Sequence, residues 1–199
     1  MDPEAIGRSY DQVARKWQEL PNKSYGIAAY ERAIKFVTNR GSALDIGCGS
    51  EGRMMDLLLK HGFQPEGLDV STEMIALARV RHPEVPFHHA DISKWDFPKK
   101  YDFIAAWDST WHLPLELQEP VLEKIFAGLT PGGVHLFTTG GLDGPGEKED
   151  PGLLQVPLAY SVLGIPRLLE LLPKFGCICR HFEFDQHPEK HLVVIAQKI

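Results

Sequence analysis

The stretch from Ala43 to Arg53, Ala-Leu-Asp-Ile-Gly-Cys-Gly-Ser-Glu-Gly-Arg, constrains this chain more than any other. An apolar run that contains one acidic residue passes into three glycines and then into the apolar segment Met54–Leu59. Glycine permits a sharp turn and a close approach of backbone to a ligand, and the first N–H groups of a helix point outward from its N-terminus. The pattern therefore predicts a strand, a tight turn and a helix, with a ligand above the turn.

Two carboxylates add information about that ligand. The spacing Gly47-x-Gly49-x-x-Gly52 alone also fits dinucleotide-binding proteins. Asp45 lies two residues before the first glycine, and Asp69 ends the next apolar run, 20 residues beyond Gly49. A carboxylate at the end of that second strand can accept hydrogen bonds from both hydroxyls of a ribose. We therefore predict a ligand that contains a nucleoside, with its ribose on Asp69.

The segment Asp45–Ser50 resembles the first motif of the class I S-adenosylmethionine-dependent methyltransferases, especially the small single-domain type 11/12 group. The resemblance implies that Gly47, Cys48 and Gly49 hold the methionine end of S-adenosylmethionine. It also implies that Asp45 serves the amino group of the cofactor, usually through water. Dinucleotide enzymes normally have an apolar residue at that position, so Asp45 favours the methyl donor.

One residue departs from the family pattern. The family usually has glycine at the position of Glu51, and we expect Gly52 to make the turn instead. This departure leaves open a second hypothesis, a cofactor-binding module without catalysis. A third hypothesis, an NAD(P)-dependent oxidoreductase on a related sheet, is disfavoured by Asp45 and by the Pro131-Gly-Gly133 turn, which is a family marker before the fifth strand.

Further cofactor contacts follow from the resemblance. Asp91, near the end of the predicted third strand Pro86–Ile92, would accept a hydrogen bond from the adenine amino group, and Ile92 would flank the ring. His88 and His89 lie nearby, but consecutive residues on a strand point to opposite faces, so we predict no metal site. The predicted cofactor-binding residues are Tyr10, Trp17, Asp45, Gly47, Cys48, Gly49, Asp69, Val70, Met74, Asp91, Ile92, Trp107 and Asp108.

The fourth predicted strand, Tyr101–Trp107, leads into the segment where the family places the methyl acceptor. No Asn-Pro-Pro-aromatic segment or Pro-Cys pair occurs there, and these are features of enzymes that methylate amino groups of adenine or glutamine and C5 of cytosine. His112 and Asp108 are the predicted catalytic residues, which would orient or deprotonate the acceptor. The alternative for His112 is a helix-entry residue that is hydrogen-bonded to backbone.

The resemblance also implies the architecture. We expect an α/β, Rossmann-like sheet of seven mostly parallel strands, with order 3-2-1-4-5-7-6, the last strand antiparallel and helices on both faces. The chain is predicted to be one domain over 1–199. Its parts would be N-terminal lid helices in 1–40, a cofactor-binding half in 41–140, and a substrate loop with a C-terminal hairpin in 141–199.

Helical spacing of apolar residues predicts helices over Glu4–Leu20 and Tyr25–Asn39. The segment Gly140–Pro157 is rich in Gly, Pro and charge, which predicts a mobile substrate loop or a disordered surface insert. The pair Cys177-x-Cys179 has no partner pair, so buried apolar side chains are favoured over zinc ligands.

Composition limits the expected cellular location and the expected class of substrate. The net charge is −6, without a run of Lys or Arg, so nucleic acid is not an expected partner. No apolar run reaches the roughly 20 residues of a membrane span, and three cysteines favour a reducing, cytoplasmic location. We expect a monomer or homodimer that uses S-adenosylmethionine to methylate a small molecule by in-line displacement.

Overall fold

The computed structural model describes residues 1–19, 25–151 and 155–199. Its strands are Ser42–Ile46 (β1), Gln64–Asp69 (β2), Phe87–His89 (β3), Tyr101–Ala106 (β4), Leu129–Gly140 (β5), Gly146–Glu149 (β6), Ala159–Val162 (β7), Cys177–Phe184 (β8) and His191–Lys198 (β9). Its helices are Pro3–Asp11 (α1), Ala14–Glu19 (α2), Ile27–Ile34 (α3), Arg53–Lys60 (α4), Thr72–Arg81 (α5), Leu115–Ala127 (α6) and Ile165–Lys174 (α7), and a 3-10 turn spans Thr110–His112.

Seven strands form one sheet in the order β3-β2-β1-β4-β5-β9-β8. The five strands β3, β2, β1, β4 and β5 are parallel to one another, while β9 runs antiparallel to both β5 and β8. Parallel neighbours need crossover connections, which helices supply on both faces of the sheet. When the separate β6–β7 pair is left out of the count, this is the predicted order 3-2-1-4-5-7-6, so the predicted fold class is confirmed.

The core lies on both faces of β1 and β4, because successive side chains of a strand point in opposite directions. Leu44 and Ile104 pack with α6 and α7 on one face, whereas Ala43 and Phe103 pack with α3 and α4 on the other. All four side chains are fully buried. This double burial explains why the central strands are nearly continuous apolar runs.

The predicted helix Glu4–Leu20 is wrong as a single element, because α1 and α2 are separate. The carboxylate of Asp11, at the end of α1, accepts hydrogen bonds from Ser71 Oγ at 2.6 Å and from Glu73 N at 3.0 Å. This contact fixes the end of α1 on the N-terminus of α5, and sequence periodicity contains no information about it. Leu20 lies outside the described residues.

The predicted second helix, Tyr25–Asn39, is too long at both ends. The structure has α3 at Ile27–Ile34, preceded by Gly26 in a left-handed conformation with φ of 84°. A Cβ at Gly26 would lie 2.9 Å from the Trp107 ring, so the chain turns there in close contact with β4. Tyr25 therefore leaves the helix and becomes free to face the cavity described below.

The composition of Gly140–Pro157 predicts a segment without regular structure, and this prediction is wrong for part of it. Its residues 146–149 form β6, which pairs antiparallel with β7, with Gly146 opposite Val162 and Glu149 opposite Ala159. The backbone hydrogen bonds of this Gly- and charge-rich segment are satisfied by a strand that follows it in the chain, and composition does not identify such a partner. Residues 152–154 of the predicted loop lie outside the described residues.

No helix in the described part of the chain combines the length and the apolar character that a bilayer span requires.

Candidate active site

A cavity of about 400 Å³ lies where the carboxyl ends of the parallel strands meet. This edge is where open α/β sheets place their ligands. The sequence-predicted residues that line it are Tyr10, Trp17, Asp45, Gly47, Cys48, Gly49, Asp69, Val70, Met74, Asp91, Ile92, Trp107, Asp108 and His112. The fold thus brings every predicted site residue to one cavity.

The glycine turn forms part of the cavity wall. Gly47, Gly49 and Gly52 have φ values of 71°, 58° and 69°, which side chains rarely adopt. A Cβ at Gly47 would lie 2.2 Å from Ser109 Cβ, whereas a Cβ at Gly49 would meet no atom within 4 Å. Gly52 adopts the positive φ that ends the turn before α4, and Glu51 does not. This is the arrangement that the sequence predicted, with Gly52 replacing the glycine that the family usually has at position 51. The open space beside Gly49 is the room that a ligand needs to approach the backbone.

Asp45 is a buried carboxylate at the end of β1. The phenol of Tyr30 donates a hydrogen bond to its Oδ1 at 2.9 Å. Burial raises the pKa of Asp45 to about 7, although the Tyr30 hydrogen bond and the charge of Arg53 oppose the shift. A positive group in the cavity would stabilise its ionised form. Tyr30 lies on α3, 15 positions before Asp45, and no local sequence pattern indicated this hydrogen bond.

Asp69 ends β2 and is tied to the turn by backbone hydrogen bonds. Its Oδ2 accepts from Gly49 N at 2.9 Å, and its Oδ1 accepts from Ser71 N at 2.8 Å. Burial raises the pKa of Asp69, and these hydrogen bonds partly oppose the rise. The carboxylate is therefore held in one orientation at the mouth of the glycine turn.

Asp91 follows β3 and has one unused buried acceptor. Its Oδ1 accepts from the backbone N and the hydroxyl of Ser93, at 2.8 and 2.7 Å. Its Oδ2 is buried without a hydrogen-bond donor among the described residues, and the nearest ammonium, Lys94 Nζ, is 3.6 Å away. Buried acceptors are nearly always paired, so this oxygen fits the donor of a bound ligand.

Aromatic side chains from α1 and α2 cover the cavity next to His112. The rings of Tyr10 and Trp17 meet edge to face at 5.8 Å. His112 Nδ1 donates to the carbonyl of Ala159 at 2.8 Å, so its Nε2 is the acceptor for the Tyr10 hydroxyl at 2.9 Å and for Trp111 Nε1 at 3.2 Å. Burial lowers the pKa of His112 to about 4. The imidazole is thus neutral, lines the cavity and is also hydrogen-bonded to backbone.

Asp108 is held in a strained conformation at the end of β4, with φ of 50°. The hydroxyl of Thr138 donates to its Oδ1 at 2.9 Å and accepts from its backbone N at 2.8 Å. His191 Nε2 also lies 2.9 Å from this Oδ1, and His191 Nδ1 lies 2.5 Å from Asp185 Oδ1. Burial alone would lower the pKa of His191, but the hydrogen bonds to two carboxylates raise it.

Sequence reasoning missed several residues of this region, and their signals differ. His191 is 83 positions from Asp108 and begins an apolar strand, so no local pattern indicated it. Arg53 also lines the cavity, and its position directly after the glycine turn could have identified it as a site residue. Its guanidinium pairs with Glu51, and its Nε donates to the carbonyl of Tyr25 at 3.2 Å.

The described residues contain no cluster of three or more His, Cys, Asp or Glu side chains suited to a metal ion. The three cysteines, Cys48, Cys177 and Cys179, are free thiols. The prediction that both are buried is confirmed for Cys177 and wrong for Cys179, which is exposed on the edge strand β8.

Comparisons with known proteins agree with this geometry. A family model described as a methyltransferase domain matches residues 43–133. The dTDP-3-amino-3,6-dideoxy-alpha-D-glucopyranose N,N-dimethyltransferase of Streptomyces fradiae is 28% identical over 132 residues, covering 65% of this chain and 51% of that protein. The phosphoethanolamine N-methyltransferase of Plasmodium falciparum is 28% identical over 121 residues, covering 58% and 46%. The chain thus matches about half the length of these curated relatives.

The solved structure of the CcbJ methyltransferase from Streptomyces caelestis has the same fold. It superposes with a TM-score of 0.73 at 17% identity, and the superposition covers 100% of this chain and 99% of that one. The family model identifies a methyltransferase domain in residues 43–133, and the superposition shows that the chain has the fold of that structure. Both findings agree with the class I S-adenosylmethionine-dependent methyltransferases, and with their small type 11/12 group, which the sequence resembles.

Proposed function

We propose that this chain transfers the methyl group of S-adenosylmethionine to a small-molecule acceptor. One observation carries the proposal: Asp45, Asp69 and Asp91, from the ends of three successive strands, line one cavity together with the glycine turn. A nicotinamide dinucleotide would use the turn and Asp69 but has no aliphatic ammonium group to place on Asp45. The family match over residues 43–133 supports the same choice.

The residues present fit the cofactor. Asp69, fixed by Gly49 N and Ser71 N, would accept hydrogen bonds from the ribose hydroxyls. The buried Oδ2 of Asp91, which has no hydrogen-bond donor among the described residues, would accept from the adenine amino group. Asp45 would serve the amino group of the methionine moiety. When bound, S-adenosylmethionine supplies a methyl carbon that its sulfonium activates for displacement by a nucleophile.

The remaining predicted contacts would enclose this ligand. The open space at Gly49 would take the methionine end, together with the neighbouring backbone of Gly47 and Cys48. Val70, Met74, Ile92 and Trp107 would supply the apolar walls, while Tyr10 and Trp17 would cover the ligand as parts of the N-terminal lid in 1–40. Exclusion of water by these side chains strengthens the electrostatic interactions inside the site.

Asp108 and His112 are proposed to act on the acceptor. Because the activated methyl needs little acid–base help, their main task would be to orient the attacking atom. His112 is suited to this as a neutral imidazole, since burial lowers its pKa to about 4. Asp108 carries a carboxylate whose position is fixed by Thr138 and His191.

Small-molecule acceptors are supported by the relatives, whose names specify an amino sugar nucleotide and phosphoethanolamine. The segment 141–199 would contribute the acceptor side through β6, β7 and the β8–β9 hairpin. A net charge of −6 argues against nucleic acid as a substrate. Three free thiols support a reducing, cytoplasmic setting, and we propose a monomer or homodimer.

Isothermal titration calorimetry with S-adenosylhomocysteine and with NADH tests the cofactor. We expect binding of S-adenosylhomocysteine only; binding of NADH instead would favour the oxidoreductase hypothesis, and binding of neither would overturn the proposal. A screen of metabolite pools with methyl-labelled S-adenosylmethionine then tests the reaction. A protein that binds the cofactor but labels no pool would support the silent binding module.

A further inference from the structure

Two aromatic rings lie beside Asp108 in the wall of the cavity, and one of them, Trp107, is also a proposed cofactor contact. Tyr25 and Trp107, which both line the cavity, meet edge to face at 5.4 Å. Both rings also lie beside His191, at centroid distances of 6.1 and 5.8 Å. The indole Nε1 of Trp107 is buried without a hydrogen-bond partner among the described residues. These two rings therefore lie in the cavity lining next to one carboxylate.

The charges of the cavity lining are mostly negative. The carboxylates that line it are Asp45, Glu51, Asp69, Asp91 and Asp108. Among the described residues, Arg53 is the only Lys or Arg in the lining, and Glu51 already neutralises it. The guanidinium is further occupied by its hydrogen bond to the carbonyl of Tyr25. An anionic acceptor would find no free cation in this lining.

The histidine behind this wall leaves a net negative charge on the cluster that contains Asp108. His191 lies between Asp108 and Asp185, and one imidazolium cannot neutralise two carboxylates. The cluster as a whole thus has a net charge of −1 when His191 is protonated. Because Thr138 and His191 both contact Oδ1, the carboxylate orientation is fixed before any acceptor arrives.

We propose that the methyl acceptor is an amine, which binds as its ammonium against the Asp108 carboxylate and the rings of Tyr25 and Trp107. This inference rests on the proposed methyl transfer and names the substrate class of the same site. An ammonium gains a charge-assisted hydrogen bond from a carboxylate and attraction from aromatic ring faces. A carboxylate or phosphate acceptor would instead be repelled by Asp108, and an alcohol would gain neither interaction with its charge.

The reaction balances with this assignment. The bound ammonium gives one proton to the Asp108 carboxylate, which leaves a neutral amine and a carboxylic acid. The nitrogen lone pair then forms the new N–C bond, while the bond from the methyl carbon to sulfur breaks and its electron pair stays on sulfur. The product would be the methylated ammonium, which carries the positive charge that the sulfonium loses. Asp108 would return to its carboxylate by releasing the proton to solvent, so that one proton is released per methyl group transferred.

The test is acceptor binding to the protein saturated with S-adenosylhomocysteine, measured by ligand-observed NMR titration. The probes are two matched sets: benzylamine, benzyl alcohol and benzoate, and hexylamine, hexanol and hexanoate. We expect each amine to bind about tenfold or more tightly than the alcohol and acid of its set, as a charged hydrogen bond predicts. If no amine binds more tightly than its matched alcohol and acid, the inference is wrong.

The variant Asp108→Asn removes the charge and keeps the side-chain size. We expect it to reduce amine affinity about tenfold and to leave the affinity for the matched alcohols within about twofold. Asp56→Asn, on the exposed face of α4, is the control for loss of one negative charge elsewhere. Equal amine affinity in Asp108→Asn and Asp56→Asn would overturn the inference.

Failure of this inference can be separated from failure of the proposed function. Binding of S-adenosylhomocysteine is measured first, in every variant, and it also reports a folded site. If S-adenosylhomocysteine does not bind the unmodified protein, the proposed function fails. If it binds and the amines show no preference, the proposed function stands and the amine acceptor is wrong.

Discussion

The hydroxyl of Tyr10, on α1, donates a hydrogen bond to Nε2 of His112, which lies 2.9 Å away in the turn after β4. The direction follows from the other ring nitrogen, because His112 Nδ1 contacts the carbonyl of Ala159, which can only accept. This one bond connects the N-terminal helix with the acceptor side of the cavity. The helix α1, a proposed lid, and the proposed catalytic histidine are therefore joined by a hydrogen bond.

Replacement of His112 tests its proposed role. We expect His112→Ala to lower turnover about 100-fold, because the orienting group is lost, while affinity for S-adenosylhomocysteine stays within about twofold. Turnover is measured with methyl-labelled donor, and affinity by calorimetry. The control is His61→Ala, at a surface ion pair with Glu31. Full turnover in His112→Ala would show that the residue has only a structural role.

The carboxylate of Asp69 is expected to hold the ribose. Asp69→Asn keeps the shape but replaces one acceptor oxygen by a donor, so we predict an affinity for S-adenosylhomocysteine about 100-fold weaker. Calorimetry measures the change, and Asp56→Asn again serves as the matched control. An affinity within twofold of the unmodified protein would exclude the ribose assignment.

Asp45 predicts a link between cofactor binding and protons. Burial raises the pKa of its carboxyl to about 7, so a fraction is protonated at pH 7 in the free protein. An ammonium placed near it lowers that pKa, and binding at pH 7 should release part of a proton. Calorimetry in phosphate and in Tris should give different apparent enthalpies for S-adenosylhomocysteine, and Asp45→Asn should remove most of the difference. Identical enthalpies in both buffers would contradict the prediction.

The buried His135 predicts loss of stability in acid. It is fully buried in the core, its Nδ1 donates to the carbonyl of Ile104, and burial lowers its pKa to about 4. The unfolded state keeps a value near 6.5, so this contribution is complete above pH 6.5 and is lost as the pH falls toward 4. Between pH 7 and 5, we expect His135 to reduce the free energy of unfolding by about 2 kcal/mol.

Urea unfolding at both pH values measures this loss. His112, whose pKa is lowered in the same direction, contributes to the total, so the comparison is made with His135→Phe. The aromatic replacement keeps a ring next to Phe137, on which His135 stacks. The variant should lose about 2 kcal/mol less between pH 7 and 5 than the unmodified protein. Equal losses would show that His135 does not titrate as its burial requires.

The sequence predicted the strand, glycine turn and helix around residues 43–60 well, because the signals for these elements are local. The glycine turn is determined by which residues tolerate positive φ, and the exchange of Glu51 and Gly52 was visible in the order of residues. The N-terminal and C-terminal parts were predicted less well. The break after Asp11 depends on contacts with Ser71 and Glu73, and the strand β6 depends on its pairing with β7.

The sequence by itself determined the glycine turn and the positions of Asp45, Asp69 and Asp91 near strand ends, since strand ends follow from local patterns of apolar and turn residues. The order of the strands in the sheet came from the family resemblance. Only the tertiary structure decided what surrounds Asp108. His191 reaches it because β9 inserts antiparallel beside β5, which brings together residues 83 positions apart. The charge balance of that side of the cavity depends on side chains from separate elements, and a linear pattern does not contain their distances.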